Sequence, residues 1–252
     1  MVEESKQTTK KEFVTFSLYS LREFKPVINA LRKINDYSII KFDKKGIIFK
    51  SLNAQHTMMF ILKLKKHFFN KFKAKNKGII ELDLNELYRT IHHNKIDDEL
   101  QFTINKAGIS IITTGDIVKH QKIQKYPNTA EEGIIPKFNI DTTLKLKTKN
   151  IKNALNQIDS EETKITLRTI NQNLMLQDKK NMVLLDYKPK TNKDIKVNTS
   201  FNLIKHLKHF DKFSKTMKIG IKEDFPLIIN MESTRPHGHL KILIAPRMER
   251  DE

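Results

Sequence analysis

The 252-residue chain carries 47 Lys and Arg against 29 Asp and Glu, a formal charge of +18, and contains no cysteine or tryptophan. The missing thiols exclude a disulfide framework, a thiolate zinc site, an iron–sulfur cluster and a cysteine nucleophile, and the seven glycines form neither a GxGxxG nor a GxxxxGKS/T pattern that would cradle phosphate. With 38% hydrophobic residues, no apolar run of the roughly 18 residues a membrane span needs and a Met1-Val2-Glu3-Glu4-Ser5 start unlike a signal peptide, the sequence predicts a globular intracellular protein, one large domain or two, with a polyanionic partner.

In chain order, residues 13–19 alternate as a strand, and Leu21, Phe24, Ile28 and Leu31 then fall on one helical stripe. Ser20 and Glu23 predict a capping box for that helix, while Pro26 predicts an irregular first turn. Strands follow at 38–42, 46–51 and 57–64, the first two joined by an Asp43-Lys44-Lys45-Gly46 turn. The order then repeats three times. Strand 79–84, helix 85–93 and a hairpin at 100–104 and 108–113 form the second unit. Strand 139–146, helix 150–158 and strands 163–169, 173–177 and 182–187 form the third; strand 195–201, helix 202–213 and strands 217–221, 227–231 and 239–244 form the fourth. Two such units per domain, with antiparallel sheets outside and helices gathered on one side, predict an α+β fold. Residues 125–137, with two prolines, a glycine and no period, read as a linker between domains at 13–124 and 138–249.

The charge is not spread evenly. Segments 21–34, 84–94, 149–158 and 201–215 carry +3, 0, +2 and +3, nearly half of the net charge on a fifth of the chain. Arg22, Lys25, Asn29 and Arg32 repeat opposite the apolar stripe of the first helix, and Lys205, Lys208, Lys212 and Lys215 repeat with the same offsets in the last. Each face alone could be a solvated lysine face. Four in equivalent places suit the phosphate backbone, which asks for charge and reach. The segment 63–77 adds +7 with no acidic residue, either as a second contact or as an exposed loop and strand.

Several motifs resemble those of the sliding clamps of the proliferating cell nuclear antigen (PCNA) family. The end of the chain, Asp224-Phe225-Pro226-Leu227, Gly238-His239-Leu240-Lys241 and Ala245-Pro246-Arg247-Met248-Glu249, is similar to the family's ending. So are residues 47–56 to a strand and loop of the first domain, and Ile134-Ile135-Pro136 to the linker. The resemblance spans about residues 13–249. It implies two clamp domains of equal topology, each of two βαβββ units, and three subunits closed head to tail into a ring, with the helices lining a hole for duplex DNA. It further implies a processivity factor without catalytic activity, cofactor or metal, tethering a DNA polymerase, a clamp loader and other replication and repair proteins; the site of action would be the nucleus, the cytoplasm and nucleoid, or a viral replication site, according to host.

Carried over by position, the DNA-facing residues are Lys25, Arg32, Arg89, His92, Lys152, Lys205, Lys208 and Lys212. The partner pocket beneath the linker is Leu52, His56, Ile134, Ile135, Pro226, Leu243, Ala245 and Pro246, with Leu243 where the family often has an aromatic residue. The subunit interface is Ile117 and Lys119 on one edge strand and Met182 and Leu184 on another. Lys119, Lys122, Lys179 and Lys180 lie on or beside those edges, and like charges across paired strands disfavour contact. A homotrimer, a heterotrimer with a differently charged subunit, and a monomeric or dimeric clamp-like factor holding DNA by charge alone therefore all stand, as does a non-replicative basic DNA-binding protein. The histidine pairs 92/93, 206/209 and 237/239 lack a carboxylate at a familiar ligand spacing, so no catalytic metal site is predicted.

Overall fold

A computed structural model describes residues 12–126, 139–140, 142–158 and 164–247. Four repeats of the order strand, helix, three-stranded meander account for them, in agreement with the predicted α+β class. The first is β1 (Glu12–Leu18), α1 (Phe24–Leu31), β2 (Tyr37–Asp43), β3 (Gly46–Leu52) and β4 (Met58–Lys65), followed by an additional strand β5 (Lys71–Ala74). The second is β6 (Gly78–Asp83), α2 (Leu84–Ile91), β7 (Glu99–Asn105), β8 (Gly108–Thr114) and β9 (Val118–Ile123). The third is β10 (Thr142–Lys147), α3 (Thr148–Gln157), β11 (Lys164–Ile170), β12 (Asn173–Gln177) and β13 (Met182–Asp186). The fourth is β14 (Lys196–Ser200), α4 (Phe201–Ile204), β15 (Thr216–Ile221), β16 (Leu227–Glu232) and β17 (Gly238–Ile244).

Repeats interlock by exchanging first strands. β1 pairs with β7 and β6 with β2; in the other half β10 pairs with β15 and β14 with β11. The last strands of the first and fourth repeats, β4 and β17, also pair, from Gly238 opposite Leu64 to Ile244 opposite Met58. That pairing fuses the halves into one eight-stranded antiparallel sheet, β10-β15-β16-β17-β4-β3-β2-β6, flanked by the sheets β5-β1-β7-β8-β9 and β13-β12-β11-β14.

Period-2 burial makes the strands two-faced: along β7 the buried residues are Leu100, Phe102 and Ile104, and along β11 Ile165, Leu167 and Thr169. Their inner faces meet the apolar stripes of the helices in one core that includes Phe16, Phe24, Ile28, Leu87, Ile91, Leu155, Leu207 and Phe210. Phe16 stacks on Phe102 at a centroid distance of 4.8 Å and meets Phe69 at 4.5 Å. Burying each such side chain contributes about 1.5–3 kcal/mol relative to exposure.

Three local expectations change. No capping box forms: Ser20 Oγ accepts from the Arg22 amide at 3.2 Å and donates to the Ile96 carbonyl at 2.9 Å, and α1 begins only at Phe24. Pro26 consequently falls in the first turn of α1, where an amide has no helical acceptor to lose. The fourth helix is short, because Ile204, Leu207, Phe210 and Phe213, all buried, recur every three residues, a period that lines one face of a 3₁₀ helix; α4 accordingly tightens into a 3₁₀ segment over Lys205–Phe210. The basic run at 63–77 contains β5, where Phe72 lies opposite Phe16 while Lys71 and Lys73 face outward.

Candidate nucleic-acid interface and docking surface

The helices form a continuous layer. α1 packs against α2 on one side and the Lys205–Phe210 segment on the other, and α3 packs against that same segment. All eight predicted DNA-facing residues are on or directly after this layer, and several also bridge its seams. Arg32 donates to Asn29 Oδ1 at 3.0 Å and Asn85 Oδ1 at 3.3 Å, with its guanidinium 4.2 Å over the Tyr88 ring. Lys25 Nζ donates to the Asn94 carbonyl at 2.7 Å, and His92 Nδ1 lies 2.9 Å from the Arg89 carbonyl. Lys152 is paired with Asp211 at 2.8 Å, so part of its charge is already neutralised. Lys205 donates to Asn202 Oδ1 at 2.7 Å, whereas Arg89 and Lys212 are exposed.

At the seam between α1 and the 3₁₀ segment the structure adds residues that position alone had not selected. Lys33 Nζ lies 3.3 Å from His209 Nε2, and Lys33, Lys205, His206, Lys208 and His209 line a cavity of about 710 Å³ floored by Leu155, Ile158 and Phe201. Burial, then the neighbouring Arg32 and Lys208 charges, lowers the Lys33 pKa. Burial first, and then nearby lysines, pushes His206 and His209 down to about 4, so both rings are neutral at pH 7. His206 Nδ1 is buried without a hydrogen-bond partner. The i, i+3 recurrence of His206 and His209 beside Lys205 and Lys208 was the available sequence signal.

The opposite face of the large sheet bears a second apolar cluster. Met59, Ile61, Ile228 and Leu243 pack together there, joined by the partly exposed Ile48, Leu52 and Ile140. Leu52, Met59 and Leu243 follow one another in register across β3, β4 and β17. The adjoining loop is fixed by Asn53, whose Oδ1 accepts from the Thr57 amide at 2.9 Å and the Met58 amide at 2.8 Å; exposed His56 sits there at φ 57°. Ala245 donates its amide to the Thr57 carbonyl at 2.8 Å, and Pro226 precedes Leu227, which pairs with Ile244. Leu52, His56, Pro226, Leu243 and Ala245 thus gather at one end of the cluster. Pro246 lines a separate cavity with Glu223 and Asp224, and Ile134 and Ile135 lie outside the described residues. Ile48, Met59, Ile61, Ile140 and Ile228 were missing from the predicted pocket.

A family model described as "Proliferating cell nuclear antigen, N-terminal domain" matches residues 16–129. The chain is 23% identical over 228 residues to a DNA polymerase sliding clamp of Methanothermobacter thermautotrophicus, covering 89% of this chain and 93% of that protein. Over residues 16–129 it is similar to the PCNA family. A sliding clamp of Methanobrevibacter smithii is 24% identical over 90% of this chain and 95% of its own length. The PCNA crystal structure from Entamoeba histolytica superposes with a TM-score of 0.87 at 17% identity, covering 94% of this chain and all (100%) of that one. The PCNA2–PCNA3 complex from Sulfolobus tokodaii gives 0.84 at 13% identity, covering 93% of this chain and 100% of that one.

Within this PCNA fold, β9 and β13 end their sheets with no strand beyond them among the described residues. β9 shows Ile117 at 67% and Val118 at 55% exposure beside it and at its start, with exposed Lys119, His120 and Lys122. β13 presents Met182 at 59% and Leu184 at 53%. Exposed apolar edges of this kind are templates for strand pairing.

Proposed function

We propose that this chain is a PCNA-type clamp without catalytic activity, which encloses duplex DNA and tethers a polymerase and other replication and repair proteins to it inside the cell. The observation that carries the reading is the pairing state of the last strands of the four repeats. β4 and β17, from repeats one and four, pair within the chain; β9 and β13, from repeats two and three, hold the equivalent places and have no strand beyond them among the described residues. Pairing β9 of one copy with β13 of the next repeats the internal join and propagates head to tail, as a closed ring requires.

In this assembly the domains 13–124 and 138–249, joined by the linker 125–137, alternate around the ring, and the helix layer faces the DNA. Lys25, Arg32, Arg89, His92, Lys152, Lys205, Lys208 and Lys212 meet phosphates. Partner proteins seat aliphatic and aromatic side chains on the Leu52, Met59 and Leu243 cluster. Three copies give a homotrimer. Light scattering tests this: about 89 kDa, three times the 29.6 kDa chain, is expected, and about 30 or 60 kDa at every concentration, with and without DNA, would refute it.

A second reading, a monomeric or dimeric factor or a ring mixed with a differently charged subunit, is favoured by the exposed Lys119, Lys122, Lys179 and Lys180 beside the open edges. Leu52→Glu separates either from a general DNA-binding protein: it abolishes stimulation of a polymerase while leaving DNA affinity unchanged.

A further inference from the structure

Beyond the Leu52–Leu243 cluster, toward the turn between β2 and β3, the outer face of the large sheet opens into a groove of about 600 Å³. Ile48, Lys41 and Ile79 follow one another in register across β3, β2 and β6. Ile79 is 45% exposed, an unusual state for an isoleucine within a strand. Lys41, Lys45, Lys63, Lys65 and Lys77 also line the groove, and Asp43 is its one carboxylate. Asp43 Oδ1 accepts from the Lys45 amide at 2.7 Å, which commits it to the turn. Gly46 takes φ 148° there, where a Cβ would lie 2.2 Å from the Leu64 carbonyl oxygen, so the turn is fixed closely against β4.

The groove and the cluster share a wall, because Ile48 lines the first and packs against the second. From β17 to β6 the sheet order β17-β4-β3-β2-β6 sets four interstrand steps. At about 4.8 Å each these span roughly 19 Å, the reach of about six extended residues. The lining selects chemistry. Phosphodiester backbone would engage the lysines but leave Ile48 and Ile79 in water, and no exposed aromatic ring stands among the lining residues to stack a base. A polypeptide with apolar side chains flanked by carboxylates matches both floor and rim.

We propose that this groove binds an acidic segment with apolar anchors, carried by clamp partners about six residues from the part that seats on the Leu52–Leu243 cluster. The proposal rests on the outer-face docking reading given above and adds a second subsite to it. It also gives a role to the basic run at 63–77, three of whose lysines line the groove.

The test uses the full chain and a fluorescein-labelled peptide, Glu-Glu-Phe-Glu-Leu-Glu-Glu, with its all-Gln analogue and a twelve-nucleotide oligothymidylate as comparison probes. The expected result is anisotropy-detected binding of the acidic peptide, weakened at least about tenfold by replacing Glu with Gln, by Ile79→Glu and by Lys63→Glu with Lys77→Glu, and unchanged by Leu52→Glu. Circular dichroism checks that each variant is folded; Ile79→Ala, a milder change at an exposed position, should weaken binding in the same direction. Loss of binding in Leu52→Glu but not in Ile79→Glu would place the peptide on the cluster and overturn the groove alone. Equal affinity of the Gln analogue, no peptide binding, or displacement of the peptide by a tighter oligothymidylate would each overturn the proposal. Polymerase stimulation by the wild type and its loss in Leu52→Glu report separately on the docking reading.

Discussion

Changing Lys205, Lys208 and Lys212 together to alanine tests whether the helix layer holds DNA. These three were chosen because their neighbours constrain them least. Lys152 is already paired with Asp211, Arg32 is held by Asn29 and Asn85, and Lys25 by the Asn94 carbonyl. Lys205, by contrast, reaches only a neutral amide in Asn202, and Lys212 is exposed. Lys208 stands close enough to Lys33 and His209 to depress both pKa values, a repulsion that an incoming phosphate relieves. Each phosphate neutralised on B-DNA contributes about 0.9 to the slope of log K against log salt, so losing three contacts lowers its magnitude by about 2.7 for each subunit that touches the duplex. Between about 50 and 200 mM salt the wild type should therefore lose about 40-fold more affinity than the variant. Fluorescence anisotropy on a labelled duplex across that range measures the slope. A control triple, Lys44, Lys106 and Lys193 to alanine, changes exposed charges off the helix layer and should leave it nearly unchanged. A slope change below about 0.5 for the helix triple, or an equal change for the control, would refute phosphate contact by these lysines.

Met182→Glu with Leu184→Glu places carboxylates on the open edge of β13; light scattering should then give the mass of a single chain. Phe16→Ala removes a ring packed against Phe102, Phe69 and Phe24, and urea unfolding should show a loss of about 3–5 kcal/mol. His206 and His209 sit at about 4 in the folded protein against an ordinary 6.5. The unfolded chain therefore takes up protons first: the associated stability is present above pH 6.5, falls as pH drops toward 4 and levels off below. The Tm of the wild type should fall more steeply across that window than that of His206→Gln with His209→Gln; parallel curves would show that the two rings do not set the slope.

Repetition made the fold legible: four amphipathic helices and their meanders announce themselves through periods of 3.6 and 2. The errors came where two signals overlapped. Along 204–213 the buried residues recur every three positions, a spacing that belongs to a 3₁₀ helix but passes for α-helix when read with a tolerance of one residue. β5 was hidden because Lys71 and Lys73 dominate a strand whose inward residues are only Phe72 and Ala74. The basic helix faces were readable because solvent-facing charge has the same period as the stripe it opposes. The docking cluster was only half readable. Leu52 and Leu243 came from the family pattern, while Met59 and Ile61 lie in the run Met58-Met59-Phe60-Ile61-Leu62, which is apolar without alternation. Such a run marks a strand covered on both faces, and it is the signal that could have revealed an apolar outer surface.

The β4–β17 pairing has a mechanical consequence. Along that seam the inward residues Phe60, Leu62, Leu240, Ile242 and Ile244 and the outward residues Met59, Ile61 and Leu243 are all buried, so separating the strands would wet apolar surface on both sides at once. β9 and β13 offer shorter edges, with Val118, Met182 and Leu184 already in water. An assembly under load therefore parts between chains before it tears within one. In the proposed ring, DNA entry is therefore expected at the junction between neighbouring chains and not at the β4–β17 seam.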